Sequence, residues 1–449
     1  MPTALNRILT ATATTVAFAA AGAAPALAAP DPLLADQWAL SEPQAIGAQE
    51  AWKQSQGDGV LVAILDSGVQ LNHPDLAGSL WTNPGEVPGN GKDDDNNGYV
   101  DDVYGANMFT DNGNVNDDEG HGTHVAGIVA ARAGNGVGGS GLAPKARIMA
   151  VKVLDANRSG NSSLLASGIR YAVDMGARIL NVSINGDGTS SDLTEALHYA
   201  SEKGATIVAS AGNNSRNIDL SPSYPASSNE PSVLSVTATD EGGGIVGFAN
   251  RGLRSVDLAA PGEMILSTAR GSGYENRSGT SMAAPYVSGS LALLAAARPD
   301  LSQAVLRDAL IASAPKRNIL SGLLGGGGLD IGAAMHAVLP GDRWQAAGTS
   351  TSTSVAATAT PALRLRTGAA IHAGRRATVR WSATGADSVA RWRISLDGRR
   401  VATLDGGDSR IVRRRIAAAG SHRWRVVGFD EAGAKVVSAV RSFRVLARG

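Results

Sequence analysis

The 449-residue chain contains no cysteine, which excludes a disulfide framework and any thiolate-held metal site. It also lacks net charge, since 40 Lys and Arg balance 40 Asp and Glu, so the molecule as a whole has none of the basic excess that marks a nucleic-acid binder. Charged residues are only 18% of the chain and hydrophobic ones 43%. That is a globular composition, and it disfavours wholesale disorder, collagen-like repetition and a polytopic membrane protein. Beyond the N-terminal leader no segment is expected to reach the ~18 apolar residues that a membrane span requires.

The neutrality is an average of two charged parts. Residues 363–449 carry 19 Lys and Arg against 6 Asp and Glu, a balance of +13, which leaves −13 on the residues before them. At the N-terminus, Arg7 precedes an apolar run through Val16, Phe18 and the alanines to Ala24, then Ala26-Leu27-Ala28. This is a secretory signal pattern, so export and cleavage after Ala28 are expected. An exported chain without disulfides must draw its stability from packing and bound ions, which gives weight to any cluster of carboxylates.

The chain divides into a signal peptide over 1–28, a main domain over 29–340, an Ala/Thr/Ser-rich linker over 341–362 and a basic domain over 363–449. In the main domain, short apolar runs at 60–65, 148–154, 179–184, 207–211 and 233–238 alternate with helix-like stretches at 164–175 and 193–203. Runs that are apolar throughout suit strands buried on both faces, so an α/β layered fold with a mostly parallel sheet is predicted. The last domain alternates apolar and polar residues over short strand-like runs split by Asp397-Gly398 and Asp405-Gly406-Gly407. Those turn signals predict a small all-β sandwich of immunoglobulin or fibronectin type, with Trp381, Trp392 and Trp424 in its core.

Three segments carry the chemistry: Ala63-Ile64-Leu65-Asp66-Ser67-Gly68-Val69, His121-Gly122-Thr123-His124-Val125-Ala126-Gly127 and Gly279-Thr280-Ser281-Met282-Ala283-Ala284-Pro285. Asp66 ends a buried strand, and His121 and Ser281 each open an apolar helix. A serine hydroxyl is a poor nucleophile until an imidazole takes its proton and a carboxylate orients that imidazole. Singly, each of the three reads as a helix cap or strand end. Together, in the order Asp, His, Ser, they resemble the subtilisin-like serine proteases, the subtilases, over residues 31 to 339.

The resemblance implies a subtilisin-like three-layer fold, peptide and protein substrates, and catalysis by Asp66, His121 and Ser281. It further implies that Asn213, in Ser210-Ala211-Gly212-Asn213, stabilises the oxyanion, although Asn213-Asn214 also reads as a plain turn. The substrate is then expected to add as a β-strand between Ser159-Gly160-Asn161 and Ser183-Ile184-Asn185-Gly186, with Ala211, Gly212 and Ser223 completing the cleft. Asn185 and Ser223 stand where the family often has glycine. Both add bulk, so a narrowed primary pocket for small or medium uncharged side chains is predicted. The pair His121 and His124 lacks the glutamate of a zinc protease, and zinc is rejected.

Between Asp66 and His121, nine acids and no base lie from Asp93 to Glu119. Oxygen donors at alternate positions with a turn glycine are what calcium requires, so Asp93, Asp95, Asn97 and Asp102 are candidate ligands. The stretch resembles the calcium loop of secreted subtilases, yet it lacks the distal glutamate of an EF-hand and a solvated acidic loop is the alternative. A second calcium site of family type is implied at Asp31 or Gln37, Asp75 and Asn135. One departure is expected, because residues 29–36 leave no room for the prodomain usual in secreted subtilases. The basic C-terminal domain is expected to dock on the acidic domain, to bind an anionic cell-surface polymer, to hold an acidic substrate or to act as a spacer. A monomer without nucleic-acid partners is predicted; the competing reading is a secreted adhesion protein whose protease-like domain is a scaffold.

Overall fold

The computed structural model describes residues 30–42, 45–316, 320, 326–339, 362–367, 371–372, 376–384, 390–397, 399–405, 411–416, 419–429 and 435–446. The expected leader with its Ala28 cleavage point, and residues 341–361 of the expected linker, lie outside them. In chain order the first part runs α1 (Trp38–Ser41), α2 (Ala48–Trp52), β1 (Leu61–Asp66), α3 (His121–Ala130), β2 (Arg147–Lys152), α4 (Ser162–Asp174), β3 (Ile179–Val182), α5 (Ser191–Glu202), β4 (Thr206–Ser210), β5 (Val233–Thr239), β6 (Leu258–Pro261), β7 (Ile265–Ala269), β8 (Gly273–Arg277), α6 (Thr280–Ala297), α7 (Gln303–Ser313), β9 (Gly327–Gly328) and α8 (Ile331–Val338).

Seven strands form one parallel sheet in the order β2-β1-β3-β4-β5-β6-β9. Side chains alternate across a strand, and both faces here meet helices. Val62, Ile64 and Ile148 join Val125 and Ile128 of α3 and Leu291 of α6 in one core. Ala63, Leu65, Met149 and Val151 join Leu165 and Ile169 of α4 and Leu193 and Leu197 of α5 in a second. The strands therefore bury both faces, which is why their sequences are apolar throughout. Strand order reverses at β1, whose neighbours are β2 on one side and β3 on the other. In open α/β sheets such a reversal leaves a crevice at the carboxyl ends of the strands, and Asp66 is the last residue of β1.

α6 corrects one expectation. Its 18 residues are long and apolar enough to cross a membrane by length and composition, but 83% of that stretch is buried inside the protein. It is the central core helix, packed under β3, β4 and β5.

The C-terminal part comprises β10 (Ala362–Thr367), β11 (Ile371–His372), β12 (Arg376–Thr384), β13 (Arg391–Leu396), β14 (Arg399–Asp405), β15 (Ile411–Arg415), β16 (Gly420–Phe429) and β17 (Lys435–Leu446). They form a three-stranded sheet, β10-β12-β15, and a five-stranded sheet, β11-β17-β16-β13-β14, paired antiparallel except for the short β11–β17 ladder. Trp392, Ile394, Trp424 and Val426 are buried; the side chain of Trp381 lies outside the described residues.

Candidate active site

The carboxyl end of β1 and the starts of α3 and α6 carry the site, and these three elements pack on one another. Asp66 is fully buried, and both its oxygens lie near His121 Nδ1, at 2.8 and 2.9 Å. The main-chain N–H of Ser67 also donates to Asp66 Oδ1, at 2.8 Å. Helix α3 starts close enough to β1 to deliver His121 because residue 122 is glycine. A Cβ there would lie 2.1 Å from the Gly68 carbonyl oxygen.

Asp117 ties the same junction together, and sequence reasoning counted it only as one acid among nine. Its Oδ1 accepts from Ser67 Oγ at 2.9 Å and from the Glu119 and Gly120 N–H groups at 3.0 and 2.8 Å. Its Oδ2 accepts from Thr123 N and Oγ1 at 2.9 and 2.6 Å. Burial pushes this carboxyl up, but the hydrogen bonds from Thr123, Gly120 and Glu119 outweigh it and hold the group below its usual value. Glu119 Oε2 accepts from the His121 N–H at 2.6 Å, and Glu119 Oε1 pairs with Arg158 at 2.6 Å. Lys152 was also missed; buried beside Asp66 in the β1–β2 register, its Nζ donates to the carbonyls of Ser67 and Leu154 and to Asp118.

Ser281 is the second residue of α6, so its N–H is among those a helix leaves unpaired. Its Oγ donates to the Ser183 carbonyl at 3.2 Å, while Ser183 Oγ donates to the Ser281 carbonyl at 2.8 Å. Pro285 lies four residues on and has no N–H to give that carbonyl, so Ser183 supplies the missing donor. Asn213 Oδ1 accepts from Thr280 N at 2.8 Å and Thr280 Oγ1 at 3.1 Å. That fixes the amide and leaves its Nδ2 hydrogens as donors beside the start of α6.

A cavity next to these groups is lined by Gly160, Asn161, Ile184, Asn185, Gly186 and Tyr224 among others, so both strips read from the sequence border one cleft. Ser159 is exposed and bonds back to the Asp155 side chain. Gly186 differs from expectation. Its N–H and C=O both pair with Tyr224, at 2.9 and 2.8 Å, so it lines the cavity without free main-chain groups for an added strand. Ala211 and Gly212 are buried, the Gly212 N–H donating to Thr280 Oγ1 at 3.0 Å. Ser223 is fully buried and its Oγ has no partner.

The acidic insertion folds on itself, and its carboxylates regroup. Glu86, Asp95 and Asp102 bring one oxygen each within 4.8 Å of one another. Glu86 was missed, and Asp93 belongs elsewhere: its oxygens accept from the Asn97 and Gly98 N–H groups at 3.0 and 2.8 Å. Asn97 turns its Nδ2 to Asp95 and Asp102, at 3.2 and 2.9 Å, and Asn83 does the same at 3.0 and 2.9 Å. Tyr171 donates to Asp102 at 2.5 Å. Glu86 Oε2 is buried with no partner, and burial, together with Asp102 and Asp95, pushes its carboxyl up. An unpaired buried oxygen facing two more carboxylates fits a hard divalent cation.

The second expected group also assembles. Asp31 accepts from the Gly134 and Asn135 N–H groups at 2.7 and 3.0 Å, and Asn135 Nδ2 and Tyr274 reach Asp75 at 2.7 and 3.1 Å. Gln37 bonds Ser140 N and O at 2.7 and 2.8 Å. Burial pushes Asp75 up to about 6. His124 Nε2 bonds the Glu275 carbonyl at 3.1 Å.

A parallel α/β sheet with a buried carboxylate–imidazole pair at its topological switch, and a serine opening the central helix, is the arrangement of a serine hydrolase. Comparison with known proteins narrows this. The model of the subtilase family, peptidase S8, matches residues 57–328, and the chain belongs to that family of serine endopeptidases. It is 41% identical to thermitase of Thermoactinomyces vulgaris over 254 residues, covering 56% of this chain and 81% of thermitase. It is 42% identical to the cell wall-associated protease of Bacillus subtilis over 250 residues, covering 56% of this chain and 25% of that protein. Among solved structures, a protease of Pseudoalteromonas arctica PAMC 21717 superposes with a TM-score of 0.58 at 28% identity, covering 69% of this chain and 99% of the other.

Proposed function

We propose that the chain is an exported endopeptidase in which Asp66, His121 and Ser281 form the triad. The observation that carries this reading is the 2.8 Å contact between His121 Nδ1 and a carboxylate with no exposure to solvent. A carboxylate held at Nδ1 keeps the proton there and leaves Nε2 as the base. Ser281 Oγ leaves the Ser183 carbonyl, passes its proton to His121 Nε2 and bonds the substrate carbonyl carbon. Asn213 Nδ2 and the Ser281 N–H receive the oxyanion, and Asp66 stabilises the imidazolium. His121 then protonates the leaving amine as the C–N bond breaks, and a water deprotonated by the same imidazole hydrolyses the acyl-enzyme.

Substrate lies along Ser159-Gly160-Asn161 and Ser183-Ile184-Asn185, with Ala211 and Gly212 beside the scissile bond. Asn185 and Ser223 narrow the primary pocket toward small or medium uncharged side chains. A peptide-library profile dominated by large aromatics would exclude that preference. Calcium would be held by Glu86, Asp95 and Asp102 with Asn97 adjacent, and by Asp75 and Asn135 with Asp31 or Gln37; bound there it would neutralise buried carboxylates and brace two loops. The leader directs export, residues 341–362 link the two parts, and the protein works as a monomer. Arginines of the C-terminal unit bind an anionic cell-surface polymer.

The test is labelling by a fluorophosphonate together with casein hydrolysis, in the wild type and in Ser281→Ala. Labelling and hydrolysis lost only in Ser281→Ala support the triad. A folded wild type that neither labels nor hydrolyses would instead favour an adhesion protein built on a protease scaffold.

A further inference from the structure

Strands β13 and β16 pair so that Arg393 faces Val427 and Ser395 faces Arg425. Paired residues of an antiparallel ladder share a side, and side chains alternate along each strand. Arg393, Arg425, Val427 and Phe429 therefore occupy one face of the sheet, and Trp392, Ile394, Trp424 and Val426 the other. The tryptophan face is the core of the C-terminal unit, yet the apolar part of the arginine face is dry as well, with Val427 at 4% and Phe429 at 6% exposure, while Arg391 at its edge is exposed. An outward apolar face that is shut off from water has a cover.

The ions beside it show what that cover is. Arg393, stacked over Phe429 at 4.8 Å, pairs with Asp36 at 2.8 Å. Arg425 pairs with Glu42 at 2.9 Å and lies 3.5 Å from Glu241. Asp36 and Glu42 flank α1. Between them Gln37 bonds Ser140 and the Leu266 carbonyl, and Asp31, five residues before Asp36, receives the Gly134 and Asn135 N–H groups. The segment 31–42 is thus gripped on one side by the glycine-rich loop 134–140 and on the other by two arginines.

We infer that the basic C-terminal unit is a clasp whose partner is this chain's own acidic segment 31–42, and that closing it secures that segment and the loop it braces. The match is chemical: guanidinium forks meet carboxylates around a small apolar patch, and the +13 and −13 parts of the chain attract before contact. None of the three ion pairs includes Asp66, His121 or Ser281.

In the full chain carrying Ser281→Ala to prevent self-cleavage, Arg393→Glu with Arg425→Glu is expected to lower Tm by about 5 °C, to enlarge the radius of gyration in X-ray scattering and to speed proteolytic nicking within residues 31–45. Adding Asp36→Arg, Glu42→Arg and Glu241→Arg, which reverses every carboxylate paired with the two arginines, restores all three. Unchanged melting and scattering in the reversed variant, or no recovery in the swapped one, overturns the clasp. If the reversed chain does not fold, the absence of native cysteine allows a second measurement. Arg425→Cys with Glu42→Cys, treated with a short bismaleimide, should give one intramolecular cross-link, and failure to cross-link overturns the clasp.

Discussion

One helical turn beyond His121, a second imidazole links stability to pH. His124 has no exposure to solvent, and burial pushes its pKa down to about 3 from 6.5. Between those values the unfolded chain binds a proton that the folded one refuses, so stability falls as pH falls, by ~1.4 kcal/mol per pH unit for this group. Denaturant unfolding followed from pH 7 to 4 in the wild type and in His124→Gln should differ by that slope, because Asp75, pushed up to about 6, contributes with the opposite sign equally in both. An unaltered slope in the variant would assign acid sensitivity to other groups. If Asn213 holds the oxyanion as proposed, Asn213→Ala is expected to lower kcat by about 10²- to 10³-fold with KM little changed, the size of effect known for the matching asparagine of subtilisin. A change confined to KM would make Asn213 a ground-state contact.

At the scale of elements, the union of β3 with α6 depends on an exchange that begins with a proline. Pro285 deprives the Ser281 carbonyl of its helical partner, and Ser183 Oγ replaces it at 2.8 Å. Ser183→Ala leaves that buried carbonyl unpaired, which costs about 1–3 kcal/mol. It should lower Tm and also loosen the start of α6, so kcat is expected to fall while fluorophosphonate labelling slows. Ser183→Thr, which keeps the hydroxyl, should recover part of both. The acidic insertion shows where reading the sequence stops. Asp95 and Asp102 were legible as oxygen donors, but Glu86 joins them only because residues 86–102 fold back on themselves, and no spacing rule announces that. Asp93 looked equivalent to its neighbours and is spent on the Asn97 and Gly98 N–H groups instead. Chelator should lower Tm in the wild type and less so in Glu86→Gln; an equal shift in both would place the ion elsewhere. The strands β1 to β5 were readable for the opposite reason, since burial on both faces writes itself into every residue of the run.

Over the whole molecule, the catalytic chemistry and the charge asymmetry sit on different parts of the chain. Asp66, His121, Asn213 and Ser281 all belong to the parallel sheet and its helices, whereas the +13 excess begins at residue 363. That division was visible in composition alone. What composition could not give was the direction in which individual arginines point, since Arg393 and Arg425 pair with Asp36 and Glu42 while Arg391, in the same alternating run, is exposed. A chain ending at Leu339 keeps every residue proposed to act on the substrate, so its casein turnover per labelled serine at 25 °C should stay within about twofold of the full chain, as expected for well-separated sites. Its behaviour on an anionic matrix should change entirely. The full chain is expected to be retained at low salt and to elute as the screening length shortens to about 10 Å near 0.1 M, while the truncated, acid-rich chain passes through. Equal retention of both would show that the C-terminal cations are satisfied within the molecule, leaving none for a polymer outside it.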